Sequence, residues 1–232
     1  MTGALKTFAR LLSLFMIVMQ PLSAARADIV LSQLIIDLQP GKHGRDDIEI
    51  WNSGTDRAYV ALEPREVINA GLADEIRREE PNPERLGLLV SPVRMILEPG
   101  QRKLARIADI APPSDRERIY RVTVKPVAGP LESADSALKV LIGYDVLVLV
   151  RPADVRLGIS ARRSGKYLVF RNDGNASVEL FQGRQCDEAR AHCTDLPGKR
   201  LYAGAEWSET LQSHGPVDYT IKSPAGTERR SF

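Results

Sequence analysis

Residues 137–150 read ALKVLIGYDVLVLV, and this stretch decides the fold class. Seven apolar residues in it share one parity: Leu138, Val140, Ile142, Tyr144, Val146, Val148 and Val150. In an extended strand all seven project from one face. The opposite parity is mixed and partly polar up to Asp145, and it becomes apolar only at Leu147 and Leu149. The pattern therefore predicts burial on both faces in the second half and on one face in the first half.

The length of this stretch is as informative as its pattern. Fourteen residues span nearly 50 Å at about 3.3 Å per residue, whereas most strands have only 3–10 residues. One explanation is a long, bent strand that closes its own domain. The other is an edge strand whose first half keeps its apolar row for another polypeptide by β-strand addition, because an open edge otherwise invites aggregation.

The sequence on either side consists of short β-branched runs separated by turn residues. Before the stretch, the runs include Ile29–Leu38, Asp47–Trp51 with its Asn52-Ser53-Gly54 turn, and Leu86–Leu97. Such spacing is typical of an antiparallel β-sandwich or barrel. The polar stretch Ala73–Glu84 is interpreted as a surface loop or a short helix.

A second series of runs begins after Arg151-Pro152, from Val155–Ile159 to Val217–Lys222, and includes the turn Asn172-Asp173-Gly174-Asn175. Proline cannot donate to a strand ladder, so Pro152 is a natural junction between two sheet systems. The sequence therefore predicts an all-β chain of two sandwiches, residues 28–150 and residues 151–232. One continuous barrel is the alternative.

The N-terminus has the features of an export signal. Lys6 and Arg10 precede the apolar run Leu11–Val18, and Ala25-Arg26-Ala27 has the small-x-small pattern of a signal-peptidase site. The run is shorter than the roughly 20 residues that cross a bilayer, although a permanent anchor is the alternative. We expect residues 1–27 to be removed, which leaves a periplasmic protein without integral membrane association.

Removal of this segment changes the charge balance. The whole chain has 32 basic and 30 acidic residues, and the segment contains three basic residues and no acidic ones, so the mature net charge is −1. Nucleic-acid binding needs a clustered basic excess, and we therefore expect no nucleic-acid partner.

Cys186 and Cys193 have six residues between them. In an oxidising compartment such a pair predicts a disulfide. A metal site that also used His192 is the alternative, but three ligands are too few for a closed zinc site. We expect no metal and no cofactor. The histidines lie in no nucleophile or metal constellation, and the sequence has no catalytic motif, so we expect no enzyme.

Two motifs point to a known family. The sequence SPVRMILEPGQ (residues 91–101) resembles the proline-start, L-x-P-G-Q strand and turn of the periplasmic pilus-assembly chaperones, the PapD-like family. The sequence DRERIYRV (residues 115–122) resembles that family's D-R-E entry into the strand before the donor strand. The resemblance implies two immunoglobulin-like sandwiches joined at an angle.

The resemblance also implies a function. Such a chaperone lends its edge strand to incomplete pilin-like subunits and delivers them to an outer-membrane usher for fimbria assembly. The lent side chains would be Leu138, Val140, Ile142 and Tyr144. The sequence leaves open whether the free protein caps this edge by forming a dimer.

The chain departs from the family at the site for the pilin's C-terminal carboxylate. The family uses an Arg on the first strand and a Lys on the donor strand, where this chain has Ile35, or a neighbour, and Leu147. Arg121 and Lys125, which share one parity on the adjacent strand, are the candidates for a replacement anchor. The alternative is that both are ordinary surface charges.

A second departure concerns the charges between the domains. Arg151 and Glu117 match the family's Arg and Glu, but Lys222-Ser223-Pro224 stands where an Asp is expected. Asp154 and Asp218 are the candidates to replace it.

Two other functions remain open. One is a module of the same fold that scaffolds an envelope complex without donating a strand. The other is a structural subunit of the surface fibre, although such subunits are usually single incomplete sandwiches.

Overall fold

The computed structural model describes residues 29–40, 44–127, 142–187 and 189–232. The predicted signal peptide lies outside these ranges, as do Leu138 and Val140 of the predicted donor strand. The elements up to Val150 are β1 (Ile29–Leu31), β2 (Ile35–Leu38), β3 (Arg45–Asn52), β4 (Ala58–Ile68), β5 (Ile76–Arg78), α1 (Pro83–Leu86), β6 (Leu88–Ser91), β7 (Arg94–Leu97), β8 (Arg102–Asp109), β9 (Arg118–Val127) and β10 (Tyr144–Val150).

These strands form two sheets around one core. The first sheet has the order β1-β3-β8-β6, and the second has the order β2-β10-β9-β4-β5, with β7 also paired to β4. Alternate residues of both sheets point inward, which buries Ile48, Leu97, Tyr120 and Val148 together. The predicted sandwich is therefore present in residues 29–40, 44–127 and 142–150.

Two predicted strands are in fact pairs of shorter strands that change sheet. The run Ile29–Leu38 breaks at Ser32–Leu34, so β1 pairs with β3 of one sheet and β2 pairs with β10 of the other. The run Leu86–Leu97 contains α1's last residue and breaks before β7, because Pro92 has no N–H with which to continue a ladder. The stretch interpreted as a surface loop or a short helix, Ala73–Glu84, contains β5 and the first two residues of the short helix α1.

The two faces of β10 confirm the predicted double burial of its sequence. Val146, Val148 and Val150 point into the core between the sheets. Leu147 and Leu149 point to the opposite, outer face and are also buried. The whole strand downstream of Asp145 is therefore enclosed.

The remaining elements are β11 (Ile159–Ser164), β12 (Tyr167–Asn172), β13 (Val178–Cys186), β14 (Cys193–Leu196), β15 (Lys199–Leu201), β16 (Glu206–Thr210), β17 (Val217–Ser223) and β18 (Gly226–Ser231). One sheet has the order β11-β12-β16, and the other has the order β14-β13-β17-β18, with β15 also paired to β13. The strand predicted at Val155–Ile159 begins only at Ile159. Strand β18 has a polar sequence and is not predicted.

The core of this second sandwich is aromatic. Phe170 stacks on Trp207 with ring centroids 5.3 Å apart and meets Tyr219 and Phe232 edge to face. Such pairs add about 0.5–1.5 kcal/mol each beyond the burial of their area. A few large aromatic rings thus fill much of the core of the second sandwich.

The two predicted asparagine turns have the same construction in both sandwiches. The buried side chains of Asn52 and Asn172 each accept a hydrogen bond from the backbone N–H two residues later, at 3.0 and 2.9 Å. Their amide groups donate to carbonyls of neighbouring strands, Leu97 and Leu201 respectively. Each turn is therefore fixed by one side chain that satisfies buried backbone groups.

Candidate functional site

Strand β10 has a neighbour on both flanks over only part of its length. On one flank β9 pairs with it from Tyr144 to Val150. On the other flank β2 pairs only with Leu147–Val150, in parallel register with Ile35–Leu38. Within the described residues, no strand pairs with β10 on this second flank upstream of Leu147. The candidate site is this half-open edge. It begins where β2 begins, because the strand that precedes β2 is β1, which pairs with β3 of the other sheet.

The predicted donor residues that the structure describes differ in their surroundings. Ile142 has 45% of its surface exposed. At Gly143 a Cβ atom would lie 3.1 Å from the Val124 carbonyl oxygen, so the backbone is held close to β9. Tyr144 packs against the core, and its hydroxyl donates to the Ile29 carbonyl at 2.7 Å. This placement argues against lending the Tyr144 ring, because the ring completes its own sandwich.

The outer face of the second sheet carries the two candidate anchors. Arg121 and Lys125 both lie on this face of β9, where the strand register places them beside Arg65 and Ala61 of β4. The Lys125 ammonium pairs with Glu63 at 2.8 Å, and Glu63 also contacts Arg65 at 3.4 Å. The pKa of the Glu63 carboxyl is lowered by its hydrogen bond to Lys125. Lys125 is therefore already engaged by an acid of its own sheet.

Arg121 is less well paired than Lys125. Its Nε lies 3.9 Å from Oδ2 of Asp145, and one of its terminal nitrogens donates to the Asp145 carbonyl at 3.3 Å. The same carboxylate oxygen of Asp145 is 2.9 Å from a terminal nitrogen of Arg77. Arg77 belongs to β5, which lies in the polar stretch Ala73–Glu84. The three residues of β5 are too few to show an alternating pattern in the sequence.

Below these charges the outer face is apolar. Ile35 and Leu147, which the resemblance matches to the family's basic pair, lie opposite each other. Leu147 is buried with Val67, Ile119 and Leu149, and Tyr202 of the second sandwich packs against this cluster. Leu34 and Ile35 are about half exposed. The side chains of Leu34, Ile35 and Leu147, which lie next to the open edge, therefore cannot donate hydrogen bonds.

Arg151 and Glu117 form a buried ion pair, as their match to the family indicates. The Arg151 guanidinium also binds Asp37 of β2 through two nitrogens, at 2.8 and 2.6 Å. The N–H of Ser177, from the second sandwich, donates to the other Glu117 oxygen at 3.0 Å. Burial raises the pKa of the Glu117 carboxyl, and the Arg151 charge opposes that shift. The cluster therefore joins β2 and the end of β10 to the residues that directly precede β9 and β13.

The expectation that Asp154 or Asp218 replaces the family's third charge is wrong. Asp154 contacts Arg156 near the surface at 3.6 Å, and Asp218 binds Arg190 at 3.0 Å in the second sandwich. Asp37 takes the place instead, because β2 lies beside the end of β10. Its signal in the sequence is a single acid within the apolar run Ile35–Leu38.

The predicted disulfide is present. Cys186 and Cys193 lie directly opposite each other on β13 and β14, with a Cα–Cα distance of 4.0 Å. His192 contacts Asp187 instead of a cysteine, with its Nδ1 3.0 Å from the carboxylate. In the described part of the chain, no group of three or more His, Cys, Asp or Glu side chains could hold a metal ion. The same residues contain no helix with the length and apolar character needed to cross a membrane.

Comparison of sequences finds fimbrial proteins. The chain is 27% identical to a CS1 fimbrial subunit of Escherichia coli over 191 residues, which cover 78% of this chain and 80% of that protein. It is 25% identical to a CFA/I fimbrial subunit of Escherichia coli over 173 residues, covering 72% and 71%. No protein-family model matches the chain.

Comparison of structures finds fimbrial chaperones. The class 5 fimbriae chaperone CfaA superposes with a TM-score of 0.66 at 19% identity, covering 88% of this chain and 98% of that chain. A structure of the Salmonella enterica pilin SafA in complex with the chaperone SafB matches with a TM-score of 0.65 at 17% identity, covering 90% and 98%. The chain therefore has the two-sandwich fold of the fimbrial chaperones, and its resemblance to the PapD-like family is confirmed at the level of the fold.

Proposed function

We propose that the chain is a periplasmic chaperone that binds pilin-like subunits by lending them the open edge of β10 and delivers them to an outer-membrane usher. The observation that carries the proposal is the flank of β10 upstream of Leu147, where pairing with β2 stops. The activity is binding without catalysis. In this proposal residues 1–27 are the export signal, and residues 28–150 and 151–232 are the two domains.

The chemistry of the strand edges supports this choice. The edge strands β11 and β18 of the second sandwich carry the charged pairs Arg162-Arg163 and Arg229-Arg230. Charged edges disfavour pairing with another chain. The open part of β10 instead continues upstream into the apolar row that ends at Ile142. An apolar, half-open edge in an exported protein suits a partner that lacks a strand.

The size of the apolar row suits a transient clamp. Burial of the three aliphatic side chains Leu138, Val140 and Ile142 is worth roughly 5–8 kcal/mol before the costs of association. Main-chain hydrogen bonds along the added strand contribute further affinity. A complex of this strength protects pilin-like subunits and still allows an usher to take them.

The relatives agree with a role in fimbria assembly. The solved structures of similar fold include complexes of a chaperone with a pilin and with a tip adhesin. In those cases the similar chain has a partner of the class that we propose for this protein.

Coexpression in the periplasm tests the proposal. A pilin-like fimbrial subunit is coexpressed with the wild type or with the variant Leu138→Asp/Val140→Asp/Ile142→Asp. We expect a soluble one-to-one complex with the wild type and an aggregated or degraded subunit with the variant. A matched control is Leu104→Asp, an exposed leucine on the other sheet, which should protect the subunit like the wild type. Full protection by the triple variant would contradict strand donation.

A second candidate function rests on the names of the similar sequences. Both Escherichia coli relatives are called fimbrial subunits, which favours a structural component of the fibre. Mass spectrometry of sheared, purified fibres separates the two functions. A chaperone is absent from the fibres and present in the periplasmic fraction, whereas a structural subunit is enriched in the fibres.

A further inference from the structure

We infer that Tyr144 is a positioning residue for strand donation: its hydroxyl occupies the free edge of β1, so that a partner strand adds to β10 alone. The inference rests on the proposed function and adds to it which edge of the sandwich receives the partner and where the lent row ends. It gives Tyr144 a role that differs from the expected one, a side chain lent to the partner.

Two strand edges lie within reach of one tyrosine side chain at this opening of the first sandwich. Among the described residues, no strand pairs with the second flank of β10 upstream of Leu147. In the same part of the chain, β1 is the outermost strand of the other sheet and pairs with β3 alone. The Tyr144 hydroxyl spans the distance from β10 to β1, since it donates to the Ile29 carbonyl at 2.7 Å. A partner strand that arrives here therefore meets two edges to which it can add.

The Ile29 carbonyl points to the free side of β1. Opposite Ile29 lies Asn52. The Asn52 N–H donates to the Gln101 carbonyl at 3.0 Å, and its carbonyl accepts from the Gly100 N–H at 2.9 Å. Both backbone groups of Asn52 thus face away from β1, so this is a non-hydrogen-bonded pair of the antiparallel ladder, and the backbone groups of Ile29 face away from β3. The carbonyl that Tyr144 binds is therefore one that a strand added to β1 would need.

Strand β1 has a sequence that favours pairing with another chain. It consists of the three apolar residues Ile29, Val30 and Leu31, whereas a charged side chain would disfavour addition of a strand to the edge. The Tyr144 ring packs against the core of the same sandwich, and its hydroxyl occupies the Ile29 carbonyl. A strand that added to β1 would first have to displace this hydroxyl. Tyr144 therefore closes the edge of β1 and leaves the flank of β10 to the partner.

The position of Tyr144 also sets the end of the lent row. Its backbone pairs with Val124 of β9, and its ring is part of the packing of its own core. Insertion of this ring into a partner would break the bond to Ile29 and open that core. Ile142, two residues upstream, has 45% of its surface exposed. The lent row therefore ends at Ile142, and the partner is an incomplete sandwich whose groove takes aliphatic side chains and no tyrosine ring.

Hydrogen exchange of two amides tests the inference. The Leu31 N–H faces the free side of β1, as the backbone groups of Ile29 do, and the Asp145 N–H faces the open flank of β10. The probe is the pilin-like subunit that co-purifies with the wild type on coexpression. In the complex with the wild type, we expect exchange at Asp145 to slow at least about tenfold and exchange at Leu31 to stay as in the free chain.

Two variants of Tyr144 remove the cover of β1 in steps. Tyr144→Phe removes the hydroxyl and keeps the ring, and Tyr144→Leu also removes the ring. In complexes of these variants the partner has access to both edges. We therefore expect exchange at Leu31 to slow as well, by about tenfold in Tyr144→Leu and by less in Tyr144→Phe.

The matched control is Tyr120→Phe. The Tyr120 hydroxyl donates to the Leu86 carbonyl at 3.1 Å in the same core, and Tyr120 lies on β9, which has a strand on both flanks. Both phenylalanine variants lose one hydroxyl–carbonyl hydrogen bond, so a general loss of stability affects them alike. Tyr120→Phe should keep the wild-type exchange pattern at Leu31 and Asp145.

The outcomes separate this inference from the proposed function. Slower exchange at Leu31 in the wild-type complex overturns the inference, as does unchanged exchange there in the complexes of both Tyr144 variants. With Asp145 protected in the wild-type complex, strand addition to β10 still stands in both cases. An equal change at Leu31 in Tyr120→Phe and Tyr144→Phe also overturns the inference. Unchanged exchange at Asp145 in the wild-type complex, or the lack of any co-purifying subunit, overturns the proposed function and the inference with it.

Discussion

Leu147 of β10 lies directly opposite Ile35 of β2, and this pair marks the point where the second flank of β10 becomes covered. The N–H of Leu147 donates to the Leu34 carbonyl at 2.9 Å, so the covered part begins with a formed hydrogen bond. Upstream of it the described strand has β9 alone. The same strand therefore closes its own sandwich with one half, whereas among the described residues no strand pairs with the second flank of the other half.

The buried pair of Arg151 and Glu117 should be essential for stability. Both side chains are almost fully buried, at 4% and 1% exposed. Replacing Arg151 by Ala leaves the Glu117 carboxylate buried without its cation, which typically costs about 3–5 kcal/mol. Urea unfolding at pH 7 measures this loss. The exposed pair of Arg57 and Glu98 is the control, and Arg57→Ala should leave the stability almost unchanged because solvent screens the pair. A similar small loss for Arg151→Ala would show that the cluster does not hold the two sandwiches.

Removal of the disulfide should destabilise the second sandwich. Cys186 and Cys193 close a short loop, and the chain-entropy model gives a loss of about 2.5 kcal/mol for the variant Cys186→Ser/Cys193→Ser. Urea unfolding of this variant under oxidising conditions should match that of the wild type in dithiothreitol. A variant with unchanged stability would show that the β13–β14 pairing needs no covalent link.

Asp218 should make stability sensitive to acid. Its pKa is lowered by the Ser231 hydroxyl first, and by Arg190 and Arg229. A folded pKa below the ordinary 3.8 means that the carboxylate stabilises the fold above that value and loses this effect as the pH falls through the folded pKa. Asp218→Asn should therefore be less stable than the wild type at pH 7, by about 1–3 kcal/mol, with a smaller difference at pH 3.

The matched control for this prediction is Asp195→Asn. Asp195 is 92% exposed and lies 3.7 Å from Arg184, so its loss should change little at either pH. If Asp218→Asn has the same stability deficit at pH 3 as at pH 7, the ionisation of Asp218 is not linked to folding.

Local patterns predict the strands well where a residue's neighbours in sequence also decide its surroundings. The parity of residues 144–150 predicts the double burial of β10, and the Asn-x-Gly sequences predict both turns. The point where the chain passes from one sheet to the other is harder to predict from the sequence. The break at Ser32–Leu34 depends on which strand each half pairs with, and the apolar run itself continues through it.

The partners within the charge clusters were the least predictable part of the site. Asp37 meets Arg151 across 114 positions of sequence, and Arg77 meets Asp145 across two intervening strands. Single charged residues carry no periodic signal, so the sequence indicates Arg151, Glu117 and Arg121 only through the resemblance to a family. Asp37 and Arg77 come from positions where that resemblance offers no match.

Hydrogen exchange of the β10 amides in the presence of a fimbrial subunit tests the central claim most directly. The Leu147 N–H faces β2, and the Asp145 N–H, two residues earlier, faces the same flank where the described chain provides no strand. In the free protein we predict slow exchange at Leu147 and fast exchange at Asp145. In the complex we predict that Asp145 becomes as protected as Leu147. A stable complex in which the Asp145 amide still exchanges as fast as in the free protein would contradict strand donation by this edge.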